Sequence, residues 1–249
     1  MGEGAPAVFW LDGGAPAAAP LWRCAALELP GVRHGFGTRH AARAGSGAVA
    51  TAVGVPLDAL FQARQVHGAQ VVVVASQRAA GELAGCEADA LITDRPGTAV
   101  GVRTADCVPL LVADTRCGVV AAIHAGWRGL ACGVIEATID RLVRDWGCRP
   151  AELVVVAGPA IGVEAYEVGE EVVAGLGHLG AAWVAPAGAR RPHLDLRVAA
   201  GELLRRGGVR HYVASTHCTW RDAAWFHSYR REGVATGRQL SVIGLEPRS

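Results

Sequence analysis

The chain has 249 residues, enough to bury one substantial core in the size range that a single layered α/β domain fills. Its 24 basic and 23 acidic residues leave a formal net charge of +1, which gives no basic footprint for nucleic acid or an acidic membrane surface and points to a small-molecule substrate. Every basic residue is arginine, which excludes a Schiff-base lysine, a lysine base and a P-loop lysine, so any side chain that holds an anion must be Arg or His.

Residues 1–19 hold Gly, Ala and Pro in loop-like order and read as a loosely ordered leader, with Phe9, Trp10 and Leu11 available to form a docked strand. Residues 20–249 read as a single domain whose globular patterning starts near Leu21. Between Ala41 and Gly54 the chain is again Ala/Gly-rich and barely patterned, which predicts a flexible surface loop. Runs of β-branched residues predict strands over 70–75, 99–102, 109–113, 118–123, 153–157, 210–214 and 240–245, most of them buried on both faces. Ile135, Ile139, Leu142, Val143 and Trp146 give one apolar stripe to a helix that Gly147 is placed to end. A second helix is predicted over 196–206, with Leu196, Ala200, Leu203 and Leu204 facing inward. Helices alternating with buried strands predict an α/β (α+β) fold of sheets covered by helices.

The N-terminus lacks a basic segment followed by an apolar run, and no uncharged apolar stretch reaches membrane-spanning length, so neither a targeting signal nor a membrane segment is expected. Seven cysteines, Cys24, Cys86, Cys107, Cys117, Cys132, Cys148 and Cys218, contain no CxxC pair, and an odd number cannot all be bridged within one chain. The expected location is the reducing cytoplasm.

Three segments place a soft or borderline metal ligand beside a strand end: GlnValHisGly at 65–68, ThrAlaAspCys at 104–107 and HisAlaGlyTrpArgGly at 124–129. Imidazole nitrogen and thiolate sulfur suit zinc, and three protein ligands leave the fourth tetrahedral position for water or substrate. Taken singly, a His beside a strand is more often a satisfied core or surface group, and a free Cys more often a small apolar side chain. Context adds weight at Cys107, where Pro109 restricts Val108 to extended geometry and Thr104 and Asp106 enter an otherwise apolar strand. His124 follows the apolar run GlyValValAlaAlaIle, and the small residues Ala125 and Gly126 leave room for close approach to the backbone. No second Cys/His cluster is evident, so about one zinc per chain is expected.

These three phrases, in this order, resemble the laccase-domain family, whose bacterial members are described as polyphenol oxidases, purine nucleoside phosphorylases or peptidoglycan-editing factors. Further matches are GlyProAlaIleGly at 158–162, TyrGluValGlyGluGlu at 166–171, SerTyrArgArg at 228–231 and ThrGlyArgGln at 236–239, so the resemblance runs from about Gly35 to the C-terminus. It implies a four-layer α/β sandwich with a catalytic zinc held by His67, Cys107 and His124. It also implies phosphorolysis of adenosine, inosine, guanosine and methylthioadenosine, with adenosine deamination as a second reaction. For that chemistry Arg39 and Arg128, each beside a Gly- or Thr-containing turn in a matching motif, are the candidate phosphate-binding residues, because a guanidinium grips phosphate with two parallel hydrogen bonds. Asp106 is the candidate carboxylate for the positive charge that develops on the ribose. The HxE and PCxxC pattern of the well-known zinc deaminases is absent, so a deaminase site here is expected to be convergent.

The chain departs from the family pattern twice. After GlyPheGlyThrArg at 35–39 it has HisAlaAlaArgAlaGlySerGly in place of the usual GlyGlyValSer segment, and His227 stands where the family has Phe and reads as an exposed substitution. Two alternatives accompany the phosphorylase reading. A copper-dependent polyphenol oxidase is disfavoured, because multicopper oxidases gather many histidines, commonly in HisXHis pairs, and these nine histidines contain no such pair. Copper would still bind a Cys/His site tightly in vitro. The other alternative is a peptidoglycan-editing factor acting on cytoplasmic cell-wall precursors. The expected partners are a nucleoside and phosphate; the sequence leaves the oligomeric state undetermined.

Overall fold

A computed structural model of the chain describes residues 8–13, 19–74, 83, 85–184 and 191–247. Its strands are β1 (Phe9–Asp12), β2 (Leu21–Cys24), β3 (Val32–Gly37), β4 (Leu60–Phe61), β5 (Val71–Val73), β6 (Ala90–Thr93), β7 (Ala99–Thr104), β8 (Val108–Asp114), β9 (Val119–Ala125), β10 (Val154–Ala157), β11 (Trp183–Val184), β12 (His193–Leu194), β13 (His211–Ala214) and β14 (Gln239–Leu245). The helices are α1 (Arg39–Ala44), α2 (Ser46–Ala52), α3 (Trp127–Ala131), α4 (Val134–Trp146), α5 (Glu170–Leu176), α6 (Leu196–Arg206) and α7 (Tyr229–Glu232).

Two six-stranded sheets, ordered β1-β2-β3-β14-β7-β4 and β13-β10-β8-β9-β6-β5, stack face to face. Strands β8 and β9 pair antiparallel inside the second sheet and are buried along their whole length. Their alternate residues serve two cores. Leu111, Ala113, Val120 and Ala122 meet Phe36, Val100, Val102 and Ile243 of the facing sheet. Leu110, Val112, Ala121 and Ile123 pack instead under Ile135, Ile139 and Leu142 of α4 and Leu203 and Leu204 of α6. Burial on both faces is why such strands read as continuous apolar runs. A third core sets Ala41, Val49 and Ala50 of α1 and α2 against Ala99, Leu240 and Val242 of the first sheet. The layers therefore run helices, sheet, sheet, helices, as the resemblance implies.

The helix ends follow the sequence signals. Gly147 ends α4 in the left-handed region at φ 63°, and the Asp195 carboxylate caps α6 by accepting the N–H groups of Arg197 and Val198. Residues 9–12 do form a docked strand, paired with β2, while residues 1–7 and 14–18 of the expected leader lie outside the described residues.

Residues 41–54 are not the loop that their composition suggests. They fall largely within α1 and α2, with the Thr38 hydroxyl capping α1 by accepting the Ala41 N–H at 3.1 Å and Gly45, at φ 88°, separating the two helices. High alanine helix propensity carries two helices too short for an apolar period to register. Strands β3 and β6 are also absent from the sequence-based set. In β3, Gly35 and Gly37 read as turn signals, yet a Cβ at Gly37 would strike the backbone of Leu240 in the neighbouring β14. Glycine there permits close strand approach.

Candidate metal centre and adjoining cavity

Strand register sets the first two site residues side by side. His124 is the penultimate residue of β9 and pairs with Pro109, and Cys107 lies just before β8 begins. The third, His67, comes from the segment that carries the chain from β4 in the first sheet to β5 in the second. One donor atom from each of His67, Cys107 and His124 lies within 4.8 Å of the others. Cys107 Sγ is 3.9 Å from His67 Nε2, and the two imidazole rings meet edge to face at 4.7 Å between centroids. Exposure is graded across the cluster, with His124 buried, Cys107 half-buried and His67 exposed, so the cluster opens on one side. Gly126 is required by this packing, because a Cβ there would lie 2.8 Å from Cys107 Sγ and 3.1 Å from His67 Cδ2.

Asp89 holds the cluster together, and nothing in the sequence pattern marks it. Its fully buried carboxylate accepts His124 Nδ1 at 2.7 Å and the backbone N–H groups of Val66 at 3.2 Å, His67 at 2.9 Å and Gly68 at 2.8 Å. These bonds sustain His67 in the left-handed region at φ 60°, a conformation non-glycine residues rarely adopt, and turn His124 Nε2 away from the carboxylate. Burial pushes the Asp89 carboxyl up, but the His124 bond and the backbone donors outweigh it and leave its pKa lowered. Burial likewise pushes the Cys107 thiol up, and the charge and hydrogen bonds of His124 and His67 prevail, so its pKa falls. His124 moves the opposite way: burial disfavours its charge, while Cys107 and Asp89 raise it. The two shifts favour opposite charges on neighbouring donors, which biases the Cys107 sulfur toward the thiolate that a metal binds.

A cavity of about 680 Å³ is lined by Trp127, Tyr166, Glu170, Glu171, Arg191 and Arg230 among others; none of the three donor residues lines it, and Tyr166 is the wall residue that senses Cys107. Tyr166 feels Cys107 electrostatically; burial first, and then that thiolate, push its phenol up, so its hydroxyl stays protonated. The Arg230 guanidinium stands 5.1 Å over the Tyr166 ring and donates to the Ala165 carbonyl at 3.2 Å.

The other expected site residues fall in three different settings. Arg128 is exposed, stacks at 4.4 Å on Trp127 of the cavity wall and acts electrostatically on Tyr166. Arg39 belongs to another cluster: it donates to the Ala223 carbonyl and lies 3.5 Å from Glu232, with its Nε buried and without a hydrogen-bond partner. Asp106, at φ 93° and buried, accepts the Thr219 hydroxyl at 2.6 Å and the Arg230 N–H at 2.6 Å, so both carboxylate oxygens are engaged. His227 is not the exposed substitution expected. Its side chain is 12% exposed and lies 3.4 Å from Glu232, pressed against Gly237.

Fold and site together define an α/β sandwich with a preorganised His/Cys/His donor set near a polar cavity, suited to hold a thiophilic or borderline metal. Residues 37–246 match the family model described as multi-copper polyphenol oxidoreductase laccase, and the chain belongs to that family. A purine nucleoside phosphorylase of Deinococcus radiodurans is 41% identical over 205 residues, covering 80% of this chain and 76% of the relative. The adenosine deaminase RL5 from an unknown prokaryotic organism is 34% identical over 206 residues, covering 78% of each chain. The crystal structure of YlmD from Geobacillus stearothermophilus superposes with a TM-score of 0.85 at 27% identity, over 97% of this chain and 100% of that one.

Proposed function

We propose that the protein is a zinc-dependent purine nucleoside phosphorylase acting on adenosine, inosine, guanosine and methylthioadenosine, with adenosine deamination as a side reaction. The observation that carries this reading is the open His67/Cys107/His124 cluster near a cavity lined by both arginine and glutamate, in a chain 41% identical over 205 residues to a purine nucleoside phosphorylase. The donor chemistry fits zinc: one sulfur biased toward thiolate and two imidazoles, one of them oriented by a buried carboxylate. When bound, zinc supplies Lewis acidity with one coordination position free for an oxygen ligand.

The protein's own groups divide the remaining work. Arg128 and Arg230 hold phosphate oxygens, and the Tyr166 hydroxyl, kept protonated, donates a further hydrogen bond. A phosphate oxygen bonds to the ribose C1′ as the C1′–N9 bond breaks, its electron pair passing into the purine, which takes up a proton from solvent. The positive charge developing at the ribose is offset by the acidic cavity wall of Glu170 and Glu171. Asp106 acts as a positioning residue, because its oxygens fix Thr219 and the backbone of Arg230. Oxidation of phenols by a multicopper centre is disfavoured, since a trinuclear copper cluster needs many imidazoles and only His67 and His124, of nine histidines, share a donor cluster among the described residues.

Seven free cysteines favour a reducing compartment, and no helix among the described residues is long and apolar enough to cross a membrane; both suit a cytoplasmic enzyme. The test is a nucleoside panel given to the zinc-loaded protein with and without phosphate. Free base and ribose 1-phosphate should appear only with phosphate. Free ribose released without phosphate would overturn phosphorolysis.

A further inference from the structure

A second donor cluster sits at the opposite end of the β8–β9 hairpin from Cys107 and His124. Asp114 closes β8, Cys117 lies in the following turn and Cys148 follows the end of α4. One carboxylate oxygen and the two sulfurs lie within 4.8 Å of one another. The sequence pattern gives no hint of it, because Cys148 is distant in the chain and the fold alone delivers it.

Asp114 brings a buried negative charge to this cluster. The Asp114 side chain is 1% exposed; one oxygen accepts the Cys117 N–H at 2.9 Å, and the other, Oδ2, is buried without a hydrogen-bond partner. The Arg116 guanidinium stands 3.7 Å from Oδ2, beyond hydrogen-bond reach, and is drawn off to Glu152 at 2.8 Å and the Gly147 carbonyl at 3.1 Å. A buried carboxylate oxygen with no hydrogen-bond donor, whose counter-charge is an arginine 3.7 Å away and shared with Glu152, is poorly compensated. Cys117 Sγ lies 3.4 Å from the Trp146 carbonyl, at the end of α4 where the helix dipole is negative. Two sulfurs and one carboxylate select zinc-class ions over magnesium or calcium.

We propose that Asp114, Cys117 and Cys148 hold a second, structural cation of the zinc class that fastens the β8–β9 turn to the end of α4. The Trp146 carbonyl offers a fourth donor, which a closed structural site requires. On binding, each thiol gives its proton to solvent as its sulfur takes the metal. Because two thiol protons must leave for two sulfurs to bind, metal occupancy should fall as pH drops.

The test is titration of chelator-treated, fully reduced protein with Co²⁺, read by sulfur-to-cobalt charge-transfer absorption and by metal analysis after desalting. Wild type should bind two equivalents, and the equivalent that survives in Cys107→Ala should carry the stronger absorption, because it has two thiolates. Cys148→Ser and Asp114→Asn should each bind one equivalent and keep phosphorolysis when zinc fills the remaining site. Asp114→Asn retains the acceptor for the Cys117 N–H and so decides the matter even if Cys148→Ser fails to fold. A single equivalent in wild type that vanishes in Cys107→Ala overturns the proposal. So does a Cys117–Cys148 disulfide that persists under thiol reductant.

Discussion

The two ends of the β8–β9 hairpin carry similar donors in opposite surroundings. At one end, Cys107 faces His67 and His124, whose positive character lowers its thiol pKa. At the other, burial raises the Cys148 thiol, helped by its hydrogen bond to Cys117 and the charge of Asp114. The first cluster opens to solvent through His67 and lies near a cavity, whereas the second is packed between a turn and a helix end. A cluster open to solvent, with room for a substrate, suits catalysis; one packed between a turn and a helix end suits a structural tie. Sequence neighbours would not separate these roles, because both clusters draw on the same pair of strands.

The largest effect that could break this contrast is the paired removal of one sulfur from each end. Cys107→Ala should abolish phosphorolysis and leave thermal unfolding nearly unchanged, whereas Cys117→Ala should retain phosphorolysis and unfold at a lower temperature. Equal loss of activity in both would mean general disruption of the hairpin.

His34 sharpens the comparison as a buried imidazole with no thiolate partner. Burial, helped by Arg23, lowers its pKa from 6.5 to about 4, and its Nε2 accepts the Cys24 N–H at 2.9 Å, which requires the neutral ring. Above pH 6.5 folded and unfolded chains are both neutral here. Between pH 6.5 and about 4 the unfolded chain takes up a proton that the fold refuses, so stability declines, by about 3 kcal/mol over the window. Urea unfolding across that range should show the decline in wild type and a flatter profile in His34→Gln. Identical profiles would contradict burial as the cause.

Asp89→Asn should lower zinc affinity about 10–100-fold, measured by competition with a chromophoric chelator, because the ring of His124 and the turn at His67 both lose an anionic acceptor. Unchanged affinity would show that the donors are set by packing alone. The smallest effect is at Arg128. Arg128→Lys keeps the charge and loses the planar fork, so the KM for phosphate should rise about tenfold, the worth of one hydrogen bond, with the nucleoside KM little altered. An unchanged phosphate KM would assign the anion to Arg230 and Arg191.

The sequence carries much of this in plain view and hides the rest for definite reasons. Strands buried on both faces and the helices α4 and α6 are legible because their apolar periods are long, and His67, Cys107 and His124 stand out as ligand types at strand ends. Asp89 is silent, since its role exists only once β6 lies beside β9 and its own carbonyl accepts the His124 N–H at 2.7 Å. Tyr166 and Arg230 lie inside family-like motifs, yet only tertiary packing stacks one on the other. Residues 41–54 mislead because alanine and glycine signal a loop by composition while alanine forms helix by propensity. Arg39 and Asp106 are conspicuous in sequence, but their polar atoms serve the segment running from Thr219 to Glu232.

The most direct test of the account is zinc titration of metal-free wild-type protein in the presence of inosine and phosphate, following ribose 1-phosphate. Metal-free protein should be inactive, and turnover should rise in step with filling of the His67/Cys107/His124 cluster. Full phosphorolysis by the metal-free protein would contradict it.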